Sequence, residues 1–350
     1  DKNKNNVVEF ILRQHLKMPD FLQLPLVALT LIFNLYGFVL FGKLFHRQHT
    51  NQRLAQYMIW KSSSVGTFRD FIRFFDSLSI LAWAETPVLE MNEPICSRKL
   101  LPSKRFSRTF YQIAVLGSGP GGAITATLLA EKGFEVVLVE EGSVLPIDSS
   151  IPFSVQEMVQ KYRNGGLTPA LGRPKIPYIE GQTAGGGSEI NSGLYHRTPP
   201  LILESWRQVY GLNATDSELK PHFEACEKDV SVGFSPGSVS LASLKLVDGA
   251  RKLGWNVQEV PRWFAYDGGL DPAGMPTGKR QSMTETFLRR FENVEGKLLC
   301  NSRVQKFAPH GSGFRIKFNP CLQRIDTIDC EKLFLSCGAI GTPALLRRSG

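Results

Sequence analysis

Residues 110–142 read FYQIAVLGSGPGGAITATLLAEKGFEVVLVEEG. The apolar run to Leu116 predicts a strand that ends in glycines. An amphipathic helix follows and stops at Gly133, and FEVVLVEEG predicts a second strand. The order is one βαβ unit. Between strand and helix stands Gly117-Ser118-Gly119-Pro120-Gly121-Gly122, a G-x-G-x-x-G turn. Gly117 permits the tight turn, Gly119 lets a pyrophosphate approach the backbone, and Gly122 lets the helix pack on the strand. The helix N-terminus adds free N–H groups and partial positive charge. An acid at the end of the second strand is expected on an adenosine ribose. Glu140 holds that position; Glu141 is the neighbouring candidate, and strand alternation favours Glu140. The motif alone does not separate NAD from FAD. An NAD protein usually continues with regular βα units. Here a Pro- and Gly-rich segment follows the second strand, which favours FAD.

A second glycine cluster lies in GQTAGGGSEINSGLYHRTPP, residues 181–200. A slack linker is Gly/Ser-rich with polar flanks, but here Ile190, Leu194 and Tyr195 can pack. Successive amides of Gly185, Gly186 and Gly187 can form a concave donor array. Ser188 and Asn191 add side-chain hydrogen-bonding groups. The stretch reads as a second cofactor-contacting loop near the flavin end. For Asn191 the alternative is a turn-capping role; His196 reads as a structural or surface histidine.

The chain has 350 residues and a formal charge of +9. Residues 1–110 hold 15 Lys/Arg and 8 Asp/Glu and so supply +7 of that charge. Such a front suits an anionic membrane surface or a plain solvated helical face. Nucleic acid is excluded as a partner, because no RNA-binding signature, zinc-finger spacing or aromatic-plus-basic interleaving occurs. Cys96, Cys226, Cys300, Cys321, Cys330 and Cys337 form no C-x-x-C pair and read as buried small hydrophobes. His46 and His49 lack a Cys or carboxylate neighbour, so no metal site is expected.

Residues 21–42 carry no charge and are long enough to span a bilayer, which takes about 20 residues. Pro25, Gln23 and Asn34 weaken that reading. A membrane-apposed or buried hairpin and a core helix stay open beside it. Lys43, Arg47 and Arg53 follow as candidate interfacial anchors, so membrane contact is expected through residues 21–45. No secretory pattern precedes the run, which suits a cytoplasmic or membrane-associated protein. Two further helices are expected over 51–85, broken at Ser62–Ser64 and Gly66. Pro87, Pro94 and Pro102 then mark a linker.

Three blocks together resemble the glucose-methanol-choline (GMC) flavin oxidoreductases. They are residues 117–142, residues 181–200 and CGAIGTPALLRRSG, residues 337–350. The match spans about residues 110–350, and the helical front is similar to the extension of the long-chain fatty alcohol oxidase branch. The resemblance implies an α/β fold: a Rossmann-like FAD-binding domain with a partial α+β substrate domain and an N-terminal helical extension. The expected boundaries are 1–108 for the extension, 109–200 and 291–350 for the FAD-binding domain, and 201–290 for the substrate segment. It also implies that Gly117, Ser118, Gly119, Gly121 and Gly122 cradle the pyrophosphate, with Glu140 on the ribose. Gly185, Gly186, Gly187, Ser188 and Asn191 lie along the flavin. Val304 holds the adenine through its backbone, unless it is an ordinary core valine. Gly338 and Ala339 return to the cofactor near the first loop.

The implied reaction removes a hydroxyl proton by a histidine base and transfers hydride from an alcohol to the flavin. The substrate is a small-molecule alcohol, long-chain or lipidic; the acceptor is oxygen, a quinone or a cytochrome. The histidine region is expected after Gly350, which makes the chain the front part of a longer enzyme, inactive alone. Two readings compete: an NAD(P)-dependent reductase, and a non-catalytic binding or membrane-docking protein on the same fold.

Overall fold

The computed structural model describes residues 2–91, 109–319 and 326–350, apart from 146, 153, 238 and 273. Pro94, Pro102, Cys96 and Cys321 lie outside the described residues. The chain forms two compact units, residues 1–98 with 149–180, and residues 99–148 with 181–350.

The first unit opens with helices α1 (Lys2–Lys17), α2 (Asp20–Phe41), α3 (Thr50–Lys61) and α4 (Gly66–Met91). The break at Ser62–Ser64 falls where expected. Helix α4 runs through Pro87, so the linker starts later than the prolines suggested; a proline removes only one bond of the ladder. Residues 20–41 form one continuous helix, not a hairpin, with Pro25 in its second turn. Nor is α2 a core helix, since only Phe33 and Gly37 on it are buried. Phe33 sits edge-on to Trp60 at 4.8 Å, and Trp60 stacks on Phe68 at 4.0 Å, in a cluster completed by Phe71 and Ile72.

The second unit begins with β1 (Phe110–Leu116), α5 (Pro120–Glu131) and β2 (Val136–Val139), the βαβ unit read from the sequence. Gly133 ends the helix at φ 88°, with the Phe134 amide donating back to Leu129 O. The chain then returns to the first unit as α6 (Val155–Lys161), β3 (Thr168–Ala170) and β4 (Ile176–Tyr178). This corrects the expected boundaries: residues 149–180 pack with the helical front instead of the nucleotide fold. The reason is long-range. Lys17 Nζ donates to Val159 O, Lys175 pairs with Asp70 at 2.8 Å, and Gln14 fills the space beside Gly165.

The second unit resumes with α7 (Pro200–Tyr210), α8 (Asp216–Asp229), β5 (Val232–Gly233), α9 (Leu241–Lys252), β6 (Arg262–Leu270), β7 (Pro276–Arg280) and α10 (Phe287–Asn293). It ends with β8 (Lys297–Leu299), β9 (Val304–His310), β10 (Gly313–Phe318), β11 (Thr327–Leu335) and α11 (Gly338–Ser349). Strands β5, β6 and β7 form a small antiparallel sheet. The main sheet has the order β8-β2-β1-β11-β10-β9, with β8, β2, β1 and β11 parallel and β10 and β9 antiparallel. Its core follows the period of two. Ile113, Val115, Val136 and Leu138 pack with Ala123 and Ala126 of α5 and Phe287 and Phe291 of α10. The alternate residues Ala114, Leu116, Val137 and Val139 pack on the other side with Leu345 of α11. Residues 201–290 join this unit and do not stand as a separate body.

Ion pairs and hydrogen bonds tie helices, strands and loops of this unit together. Glu131 and Asp229 share Arg290, Glu227 takes Arg197 and Tyr195, and Asp329 takes Arg315. The guanidinium bonds hold the Glu131, Glu227 and Asp329 carboxyls below their ordinary values, with Tyr195 assisting at Glu227. A depressed folded value adds stability above the unfolded value and loses it as pH falls through the folded one. Thermal stability is therefore expected to drop on acidification below about pH 4. Melting curves against pH will show a smaller drop in Glu227→Gln.

Candidate functional site

Strand β1, between β2 and β11, delivers the first glycine loop at the C-terminal end of the parallel strands. Gly117 has φ 96°, its amide donates to Val139 O at 2.8 Å, and a side chain there overlaps Ser336 O. A side chain on Gly122 overlaps Gly117 O, so helix α5 packs on the turn as the motif requires. Gly119 is the N-cap of α5 and supplies no capping side chain, while Cβ atoms on Gly119 or Gly121 meet open space. The first-turn amides of α5 are thus left to a ligand.

The second loop arrives directly against the first. The Gly185 amide donates to Ser118 Oγ at 3.1 Å. Gly186, at φ 55°, lies so close that a Cβ on it falls 2.9 Å from Gly119 Cα. Gly187 is exposed with open space beside it. The turn Gly186–Glu189 therefore presents bare backbone beside the start of α5. The third block closes the same corner. The Ser336 amide donates to Leu116 O at 2.8 Å, and Gly338, at φ 78°, opens α11 with exposed Ala339 behind it. Burial pushes the neighbouring Cys337 thiol up to about 11, so it stays a thiol.

Glu140 stands under both loops. It is buried, and its Oε2 accepts from Ser118 N at 3.0 Å and Ser118 Oγ at 2.7 Å, while Oε1 accepts from Gly142 N at 2.8 Å. Burial raises its carboxyl above the ordinary range, against the pull of those three bonds. A carboxylate oxygen takes two donors, so Oε1 keeps one position for a ribose hydroxyl. Glu141 instead faces Arg303 at 3.7 Å.

The polar side chains beside the two loops also bond the protein itself. The Ser118 hydroxyl is spent between Glu140 and Gly185. The Ser188 hydroxyl donates to Gly185 O at 2.7 Å and accepts from Met283 N at 3.0 Å. Both side chains are fully buried and tie the loops to the surrounding protein. Asn191 Oδ1 accepts from Gly193 N at 3.0 Å, which is the turn-capping role. The Val304 side chain packs into the core beside α11. Its strand starts beside the acid, where the Ser302 amide donates to Glu140 O at 2.9 Å. His196 is exposed, as expected.

The sequence reading missed what braces the second loop from behind. Buried Arg280 donates to Glu189 O and Asn191 O. Thr284 donates to Glu189 Oε1 through its amide at 3.2 Å and its hydroxyl at 2.9 Å. Bonds from a side chain to main-chain carbonyls such as these leave no mark in a sequence.

The profile of the GMC oxidoreductases matches residues 158–350. The chain belongs to the GMC oxidoreductase family. It is 34% identical over 254 residues to an uncharacterized GMC-type oxidoreductase of Sinorhizobium fredii, covering 67% of this chain and 48% of that protein. It is 29% identical over 255 residues to a long-chain-alcohol oxidase of Arabidopsis thaliana, covering 67% of this chain and 34% of that protein. Among solved structures, an FAD-dependent oxidoreductase from Chaetomium thermophilum superposes with a TM-score of 0.52 at 18% identity, covering 69% of this chain and 47% of that one. The chain spans about half the length of its GMC relatives, or less. GMC oxidoreductases use FAD, and FAD is the cofactor here, not NAD. The residues present fit it. Two bare-backbone turns and an uncapped helix start suit a pyrophosphate, and a buried acid with one acceptor position left suits a ribose.

Proposed function

We propose that this GMC oxidoreductase oxidises the CH–OH group of an alcohol to a carbonyl, and that its substrate is long-chain or lipidic. The contact of Gly186 with Gly119 carries the reading of the site, because it brings both glycine loops to one cofactor. The similarity to a long-chain-alcohol oxidase supports the substrate class. In this reading the α5 amides hold the pyrophosphate and Glu140 holds the ribose. The Val304 strand edge lies on the adenine, Gly186 and Gly187 lie along the flavin, and Gly338 and Ala339 close the pyrophosphate side. Bound FAD supplies the two-electron acceptor. The chain's own part is to fix that acceptor in place: Arg280, Thr284 and Ser188 brace the loop, and the Glu140–Ser118–Gly185 chain ties one loop to the other. An electron acceptor of the oxygen, quinone or cytochrome class would complete the turnover.

The whole enzyme, with its catalytic histidine region, is expected to carry an absorbance band near about 450 nm that bleaches, without air, on a long-chain primary alcohol and not on NADH. Bound flavin that no alcohol bleaches would favour a non-catalytic role, and the absence of flavin would overturn the site.

A further inference from the structure

Helix α2 has two faces of different fate. Phe33 and Gly37 face Trp60 and Phe71 and are buried, with Leu26, Leu29 and Tyr36 packed beside them. At 100° per residue, Leu24, Leu31, Leu35 and Phe38 lie on the opposite side. They stand 58–78% exposed, flanked by exposed Ile32 and Val39. The helix has a mean hydropathy of 2.1.

Three of its polar side chains bond within the protein. Gln23 Nε2 donates to Met18 O at 2.8 Å, and Thr30 Oγ1 donates to Leu26 O at 2.8 Å. Asn34 Oδ1 bonds His46 Nδ1 at 3.0 Å. An exposed helix face made of leucine, isoleucine, valine and phenylalanine is matched to an apolar medium. Along the chain after Asp20 the charge is one-signed. From residue 21 to residue 69 there is no Asp or Glu, and Lys43, Arg47, Arg53, Lys61 and Arg69 fall within that span. Lys43, Arg47 and Arg53 are exposed just past the C-terminal end of α2. Arg53 is steadied by the Phe45 ring, 5.8 Å away, and donates to His46 O.

We propose that the helical unit docks on an anionic lipid bilayer, with α2 lying in the plane of the interface. Its outer face enters the acyl region, and Lys43, Arg47 and Arg53 meet the headgroups. The helix does not cross. Its inner face is joined to α3 and α4, which carry Arg53, Lys61, Asp70, Arg73 and Asp76, and a crossing helix draws these charges into hydrocarbon. Length and hydropathy alone cannot make this distinction; the packed inner face makes it.

The test is co-sedimentation of the whole protein with vesicles. Binding is expected to vesicles of phosphatidylcholine with phosphatidylserine, and to fall at least several-fold with phosphatidylcholine alone. Leu31→Glu with Leu35→Glu, both exposed sites, is expected to lower the bound fraction on the order of tenfold while the flavin band and the far-ultraviolet circular dichroism stay unchanged. Lys43→Glu with Arg47→Glu is expected to abolish the preference for phosphatidylserine at low salt. Cysteines placed at Phe21 and at Lys43 are both expected to react with a membrane-impermeant maleimide added outside the vesicles. The proposal fails if the protein stays in the supernatant, or binds both vesicle types equally. It also fails if it pellets alone as an oligomer through this face, or if only one of the two cysteines is labelled.

Discussion

Glu140→Ala is expected to lower the stability of the nucleotide-binding unit by about 3 kcal/mol and to abolish flavin retention. The carboxylate accepts from Ser118 N, Ser118 Oγ and Gly142 N inside a buried site. Each buried donor left without an acceptor costs about 1–3 kcal/mol, and water entering the space relieves part of the sum. The melting temperature is expected to fall by roughly 6–12 °C in a unit of this size. Flavin is lost for a second reason, because the Ser118 hydroxyl then no longer holds the Gly185 amide in place. The native acid also carries a pH signature. Burial raises its folded value, so its contribution falls as pH rises from the ordinary carboxylate range through that raised value. Glu140→Gln is expected to lack that decline. Melting curves with retained flavin, measured across pH, check both variants; an alanine variant that melts normally and keeps flavin sinks the role assigned to Glu140.

Gly186→Ala is expected to cost about 2–3 kcal/mol and to weaken flavin binding at least tenfold. The residue has φ 55°, where an L side chain pays about 1–2 kcal/mol. Its Cβ also meets Gly119 Cα at 2.9 Å, and that neighbour is main chain and cannot swing aside. The two loops must separate, at about 1 kcal/mol or more. Gly187→Ala is the informative companion. Its Cβ meets nothing within 4 Å, so stability is expected to change by less than about 0.5 kcal/mol. A cofactor lying on that backbone meets the new methyl, and flavin affinity is expected to fall with stability unchanged. Equal affinity in Gly187→Ala and the native protein removes the cofactor from this loop.

The parts of the fold legible in advance were those coded locally. The near-continuous apolar runs of β1 and β2, the glycines at 117, 119 and 122, and Gly133 as a helix stop each act within a few residues. Their consequences could be read one by one. The two glycine loops were likewise visible as chain without side chains. What their neighbouring polar residues do was less visible. Ser118, Ser188 and Asn191 carry groups equally able to bond a ligand or their own backbone; the two serines are buried and bond the protein, and exposed Asn191 caps its own turn.

By itself, then, the order of residues determined the βαβ unit, the two bare loops and the acid at the end of β2, because short-range sterics and hydrophobic period govern those features. Only the tertiary structure decided that Gly186 rests on Gly119, that Arg280 braces the second loop, and that residues 149–180 join the helical front. It also decided that α2 packs one face and leaves the other bare. Each of these is a contact between residues tens or more apart in the chain. Which groups meet across that distance depends on how the whole core excludes water, and no local pattern records it.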